Sequence, residues 1–197
     1  MPNTDFLASL NVLIVSYRDD VANTISRGLP APTRKQVLNP KTNTRERYLH
    51  AGHDIAIIFR QKADTDFLRC IASELQQHPV PVILFVETDE DSLARDAIRA
   101  GISSFVVDGL QQSRIGTLIE IAIERFKLND ALHQELLKSK ESLAARKSVE
   151  RAKGLLMDRR GMSEQEAYRS LRETAMQQSK TIREVSDTLI SISGLLP

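Results

Sequence analysis

The chain is 197 residues long, carries a formal net charge of +1, and holds one cysteine, no tryptophan and only 5% aromatic residues. Its 41% hydrophobic content supports a real core, but no apolar run reaches the roughly 18 residues needed to span a bilayer, and Cys70 has no partner for an internal disulfide. With no basic leader ahead of the first apolar stretch, the expectation is a cytoplasmic protein of one ordinary domain plus a small appended module.

In chain order, residues 11–15 (NVLIV) predict a short strand, and residues 19–29 a helix ended by Gly28 and Pro30. The turn-rich segment 30–40 holds at most a brief strand at 36–38, and residues 42–51 predict a helix stopped by Gly52. A second clear strand follows at 54–59 (DIAIIF), then a helix at 64–77 with Phe67, Leu68, Ile71 and Leu75 as its apolar stripe. Residues 81–86 (PVILFV) and 104–107 (SFVV) predict two more strands on either side of a helix at 89–100. These strands are near-continuous apolar runs rather than alternating ones, the mark of a parallel sheet covered on both faces. The expected fold is a doubly wound α/β domain over residues 10–123.

From Ser113 the pattern stays helical. Leu118, Ile121 and Ala122 are placed to close the α/β domain, and Leu128, Leu132, Leu136 and Leu143 continue on one side. Neither Gly nor Pro occurs between Thr117 and Lys153. Residues 124–146 therefore predict a coiled-coil linker helix that pairs two copies through Leu128, Leu132 and Leu136. Arg125 and Ser139 interrupt the heptad, and a monomeric helix folded back on the first domain is the alternative.

Residues 147–197 predict three short helical patterns. Val149, Ala152 and Leu156 give the first its apolar spacing before Gly161 breaks it. Ser163 with Glu166, and Thr181 with Glu184, have capping-box spacing and open the other two. Helices this short must bury their stripes on one another, with Leu155, Leu156, Met157, Ala167, Leu171, Ala175 and Met176 as expected core, joined by Ile182, Val185, Leu189 and Ile192 on the last helix. Residues 145–197 hold 10 Lys/Arg against 7 Asp/Glu, whereas residues 1–113 hold 12 against 14. Only this module leans basic, which hints at a nucleic-acid partner, although a solvated helix surface shows the same excess. Tyr168 reads as a stacking platform or a half-buried packing residue. His50, His53, His78 and His133 are too scattered for a metal site, no cofactor motif occurs, and no cluster supplies acid, base and nucleophile, so an enzyme is not expected.

The α/β portion resembles the receiver domain of bacterial response regulators. That family's acidic pair falls on Ser16 and Tyr17, its phosphoacceptor on Phe59, its hydroxyl on Val86 and its lysine on Asp108; none carries the family residue. Phe59 has no nucleophilic atom, so the resemblance implies a pseudo-receiver that works by interaction and not phosphotransfer. Asp19 and Asp20 read as first-turn helix acids, and Arg60 is a candidate to reach into the vacated pocket and pair with an acid.

The stretch AKGLLMDRRGMSEQEAYRSLRETAM resembles the ANTAR module, the RNA-binding domain of the AmiR/NasT family of transcription antiterminators. SSFVVDGL at 103–110 is similar to the corresponding phrase of the nitrate-assimilation members, where Asp and Gly also replace the receiver's Lys-Pro. The resemblance implies a homodimer that binds a leader transcript at two adjacent stem-loops with six-nucleotide loops, so that a terminator hairpin does not form. It implies control by a ligand-sensing partner, a nitrate-sensor-like protein on the closer likeness. The residues it offers for RNA are Arg151, Lys153, Gly154, Arg159, Arg160, Arg169, Arg172, Lys180 and Arg183. A DNA-binding response regulator, an aliphatic-amidase-type antiterminator and a pure protein adaptor are the rival readings.

Overall fold

A computed structural model of the chain describes residues 3–40, 49, 52–88 and 93–193. The chain divides into two compact units, Met1–Asp130 and Ala131–Pro197. The division falls inside the stretch expected to act as linker.

In the first unit the elements run α1 (Thr4–Ser9), β1 (Asn11–Ser16), α2 (Asp19–Arg27), β2 (Arg34–Leu38), β3 (Ile55–Lys62), α3 (Thr65–Gln77), β4 (Val82–Thr88), α4 (Ala94–Arg99), β5 (Ser104–Val107), a short 3-10 turn (Gln112–Arg114) and the start of α5 (Ile115–Arg160). The five strands pair in parallel in the order β2-β1-β3-β4-β5, the doubly wound order of receiver-like domains. Strand periodicity splits the apolar runs between two cores. Val12, Ile14, Ile55, Ile57, Phe59, Ile83 and Phe85 meet α2 and α5, while Leu13, Val15, Ala56, Ile58, Val82, Leu84 and Val86 meet α3 and α4. Full burial of such a side chain stabilises by about 1.5–3 kcal/mol, which is why every inner strand reads as an unbroken apolar run. The edge strand β2 instead exposes Arg34 and Lys35, charges that discourage edge-to-edge pairing.

Several expectations need correction. The first residues do not run directly into β1: Thr4–Ser9 is helical, capped by Asn3 accepting from the Phe6 amide, and held by buried Leu7. The expected helix at 42–51 lies outside the described residues apart from Leu49, which is buried with its amide donating to Glu74 at 2.7 Å. Of the helix expected at 89–100 the described part is Ala94–Arg99. Ile121 is exposed, and the residues of α5 that close the first unit are Ile115, Ile119, Ala122 and Ile123. The pattern read as a separate helix at 149–156 is the end of α5, because nothing before Gly161 stops it.

Along α5, residues 127–144 are exposed, with Leu128 and Leu132 each 65% accessible. No described helix is long and apolar enough to cross a membrane.

Gly28 generates a prediction. Its φ of −74° is open to any residue, but an added Cβ would lie 2.8 Å from the Gln112 carbonyl oxygen and from the Ile115 side chain. Gly28→Ala is therefore expected to destabilise the first unit by about 1–3 kcal/mol, the cost of overpacking. Urea denaturation checks this; unchanged stability would show that α2 yields freely.

Candidate nucleic-acid interface and the vacated phosphoacceptor pocket

The positions assigned by the receiver resemblance lie towards the C-terminal edge of the sheet. Ser16 ends β1, Phe59 and Val86 stand three and two residues before the ends of β3 and β4, and all three are buried. The Ser16 hydroxyl accepts from the Arg18 amide at 3.1 Å and donates to the Arg18 carbonyl at 2.9 Å, closing a tight turn. Asp108 follows β5 at φ 45° and donates its amide to the Val86 carbonyl at 2.9 Å.

The ion pairs at this mouth centre on Arg18, which the sequence reading missed. Its guanidinium pairs with Asp20 through Nε at 3.1 Å, pairs also with Glu87, and lies 5.9 Å from the centre of the Phe59 ring. The hydrogen bond to Asp20 raises the Arg18 pKa and lowers that of Asp20, so both stay charged. Arg60 takes a different place from the one expected: it lies 4.3 Å over Phe67 and 5.8 Å over Tyr17, aromatic partners instead of an acid. A cleft of about 790 Å³ lies beside it, lined by Tyr17, Arg18, Phe59, Arg60, Gln61, Lys62 and Thr88. These residues do not fit a divalent cation. Ser16, Tyr17 and Phe59 offer a hydroxyl, a phenol and a phenyl ring where hard carboxylate oxygens are needed, and Asp20 and Glu87 already face Arg18. Among the described residues no group of three His, Cys, Asp or Glu is placed to hold a metal.

The second unit consists of the end of α5, α6 (Glu164–Gln177) and α7 (Ile182–Ser193). Gly161, at φ 65°, ends α5 in the left-handed conformation that glycine adopts without strain. Ser163 opens α6 with a full capping box: its amide donates to Glu166 at 2.8 Å, and the Glu166 amide donates back to Oγ at 3.4 Å. Thr181 and Glu184 repeat the arrangement at α7, at 2.7 and 3.2 Å. Accepting these bonds lowers the pKa of both glutamates. The core is Ala152, Leu156, Ala167, Leu171, Ala175 and Val185, joined by Val149, Ile182, Leu189 and Ile190. Three alanines among six buried residues let the helices approach closely.

Three expected core residues stand outside it. Met157, Met176 and Ile192 are exposed, each one position off a buried stripe, about 100° around its helix. Leu155 and Tyr168 are at the margin, half-buried and 45% exposed respectively. Ser186, fully buried, satisfies its hydroxyl on the Ile182 carbonyl at 2.7 Å.

Of the RNA candidates, Arg151, Arg159, Arg160, Arg169, Arg172, Lys180 and Arg183 are exposed. Arg159 donates to the Ser193 carbonyl at 3.1 Å, Arg169 pairs with Glu173 at 2.9 Å, and Arg183 lies 3.6 Å from Asp187. Arg151, Arg160 and Arg172 form no ion pair among the described residues. Arg169 and Arg172, three apart on α6, are surface neighbours. Gly154 is mid-helix with nothing within 4 Å of an added Cβ, so no contact inside the chain requires a glycine there. Lys153 differs from the rest: its side chain is 9% exposed, and Nζ lies 2.8 Å from Glu150 and 2.7 Å from Glu164.

The pocket generates a second prediction. Acetyl phosphate or beryllofluoride with Mg²⁺ is expected to leave the sedimentation of the chain unchanged and to add no phosphoryl mass. A stoichiometric acyl phosphate by intact-protein mass spectrometry would overturn it.

Comparison with known proteins locates a family over the second unit. The family model described as ANTAR domain matches residues 138–190. The transcriptional regulatory protein PdtaR of Mycobacterium tuberculosis is 32% identical over 124 residues, covering 62% of this chain and 60% of that protein. The chain thus spans about three-fifths of the length of that relative. A nitrate regulatory protein of Klebsiella oxytoca is 34% identical over 64 residues, covering 32% of this chain and 16% of that one. Among solved structures, a pilus assembly-related protein from Burkholderia pseudomallei matches at 20% identity and TM-score 0.49, covering 61% of this chain and 93% of that one. The chain carries an ANTAR domain over residues 138–190, joined to a doubly wound α/β domain with the strand order of a receiver.

Proposed function

We propose that the protein is an RNA-binding transcription antiterminator of the AmiR/NasT type. On this reading it binds paired hexaloop hairpins in the leader of a nitrate or nitrite assimilation transcript and is governed by a ligand-sensing partner instead of phosphorylation. The ANTAR match over residues 138–190 is the observation that carries the reading. The likeness to a nitrate regulatory protein and the phrase SSFVVDGL support the nitrate assignment. Splayed loop bases present edges and faces that a protein reads directly, while exposed cations neutralise the phosphates. Arg151, Arg159, Arg160, Arg169, Arg172, Lys180 and Arg183 supply those cations, and Gly154 leaves the helix backbone open to a close approach.

The test uses the full chain, with RNA carrying two linked hexaloop hairpins, the same RNA with one loop scrambled, and promoter duplex DNA. Binding should favour the paired hairpins. Arg172→Ala should weaken it and lower the salt slope by about one unit, as for one lost phosphate contact. Gly154→Ala should raise helix stability, since glycine costs about 0.5–1 kcal/mol against alanine, yet weaken RNA binding. Equal affinity for any RNA of that length sinks specific recognition, and preference for the duplex favours a DNA-binding regulator.

The linker stripe carries the regulatory half of the reading. Leu128, Leu132 and Leu136 are more than half exposed and, on this proposal, pair two copies when the partner does not cover them. A polar change at both Leu132 and Leu136 should shift sedimentation towards monomer and abolish association with the genetically adjacent sensor. Size-exclusion chromatography with and without nitrate reads both effects. A sensor that never associates would leave a constitutively active antiterminator as the better account.

A further inference from the structure

Lys153 is the one basic candidate in the second unit that is buried, and the reason lies in two carboxylates. Glu150 stands one turn earlier on α5, and Glu164 is the first residue of α6, beyond the turn made by Gly161, Met162 and Ser163. The ammonium therefore joins two helices that are otherwise held by the apolar contacts of Ala152, Leu156, Ala167, Leu171 and Ala175. Two of its three donors go to these carboxylates, and with 9% of the side chain accessible it has little surface left for a phosphate oxygen. Arg169 and Arg172 sit on α6, one and two turns beyond the anchored end.

We propose that Lys153 is a positioning residue of the RNA site: its bridge to Glu164 sets α6 on α5 and so places Arg169 and Arg172, and it does not itself touch phosphate. The proposal rests on the RNA-binding reading above. The two roles for Lys153 predict opposite signs at Glu164. If the ammonium contacted phosphate, removing a carboxylate beside it would free the cation, reduce repulsion and tighten binding. If the ammonium positions α6, removing that carboxylate breaks the bridge and weakens binding although the protein has become more positive.

The experiment measures paired-hairpin affinity for the full-length wild type, Glu164→Gln, Lys153→Ala and the double variant, well below each protein's Tm and per folded molecule. The expected result is a loss of roughly five- to tenfold for Glu164→Gln, with the double variant within about twofold of Lys153→Ala, because partners in one bridge are not additive. Glu164→Gln is nearly isosteric, so it reports even if Lys153→Ala fails to fold. Tighter binding by Glu164→Gln overturns the proposal. So does a lower Tm with unchanged affinity, which would make the bridge merely structural. A wild type that ignores the paired hairpins sinks the RNA reading itself, an outcome distinct from a wild type that binds while Glu164→Gln tightens.

Discussion

Burial of the inner strands on both faces is the constraint from which the first unit follows. Val12 to Val15, Ile55 to Ile58 and Val82 to Phe85 have almost no accessible surface, so helices must lie on each side and crossovers must be parallel. That topology brings the C-terminal ends of β1, β3 and β4 to one edge, where ligand sites of such sheets form. Here the edge holds Ser16, Tyr17, Phe59 and Val86. Arg18 takes up the charge of Asp20 and Glu87 there. A guanidinium is permanently charged, so this pairing has no counterpart to the gain and loss of a phosphoryl group.

In the second unit the formal charge misstates the surface. Residues 145–197 carry a net +3, but Lys153 is buried between two acids, and Arg169 and Arg183 are each beside an acid on their own helix. Surface pairs of that kind contribute little to stability and are screened by salt, so they yield readily to a stronger anion. Lys153 differs in that its own side chain is 9% exposed, while Glu150 and Glu164 stand open at 67% and 69%. The exposed arginines and the buried lysine therefore have different physical roles, although composition counts them alike.

Much of this was legible in the sequence. Apolar runs of four to six residues marked each inner strand, and the spacing of Ser163 to Glu166 and Thr181 to Glu184 marked two helix starts to the residue. What was missed has local causes. The first helix is six residues long, too short for periodicity, and its signal was Asn3 as a cap. The end of α5 looked like a separate helix because its apolar spacing resumes at Val149 after exposed positions, although no breaker intervenes. Met157, Met176 and Ile192 were placed in the core by hydrophobicity, but three narrow helices bury only one stripe each. Lys153 was read with the other cations as an RNA contact, and spacing cannot show that Glu164, eleven residues away, folds back beside it. Arg18 went unnoticed since its partner Glu87 stands on β4, distant along the chain.

The strength of the α5 stripe bears on how such a protein switches. A ligand or partner shifts an equilibrium only by its difference in affinity for the two states, so the competing states must be close in free energy. Leu128, Leu132, Leu136 and Leu143 are each between half and two-thirds exposed. Burying what remains gains about 1–2 kcal/mol per leucine, or about 8–16 kcal/mol for the eight in a pair of chains. Association itself costs about 4–15 kcal/mol in lost freedom. The two sums are of the same order, so on the proposed reading pairing is weak at this stripe. The interrupting Arg125 and Ser139 keep it so, since apolar residues there would lengthen the seam and drive pairing beyond a competitor's reach. On that reading a partner needs only to cover the same few leucines to tip the balance.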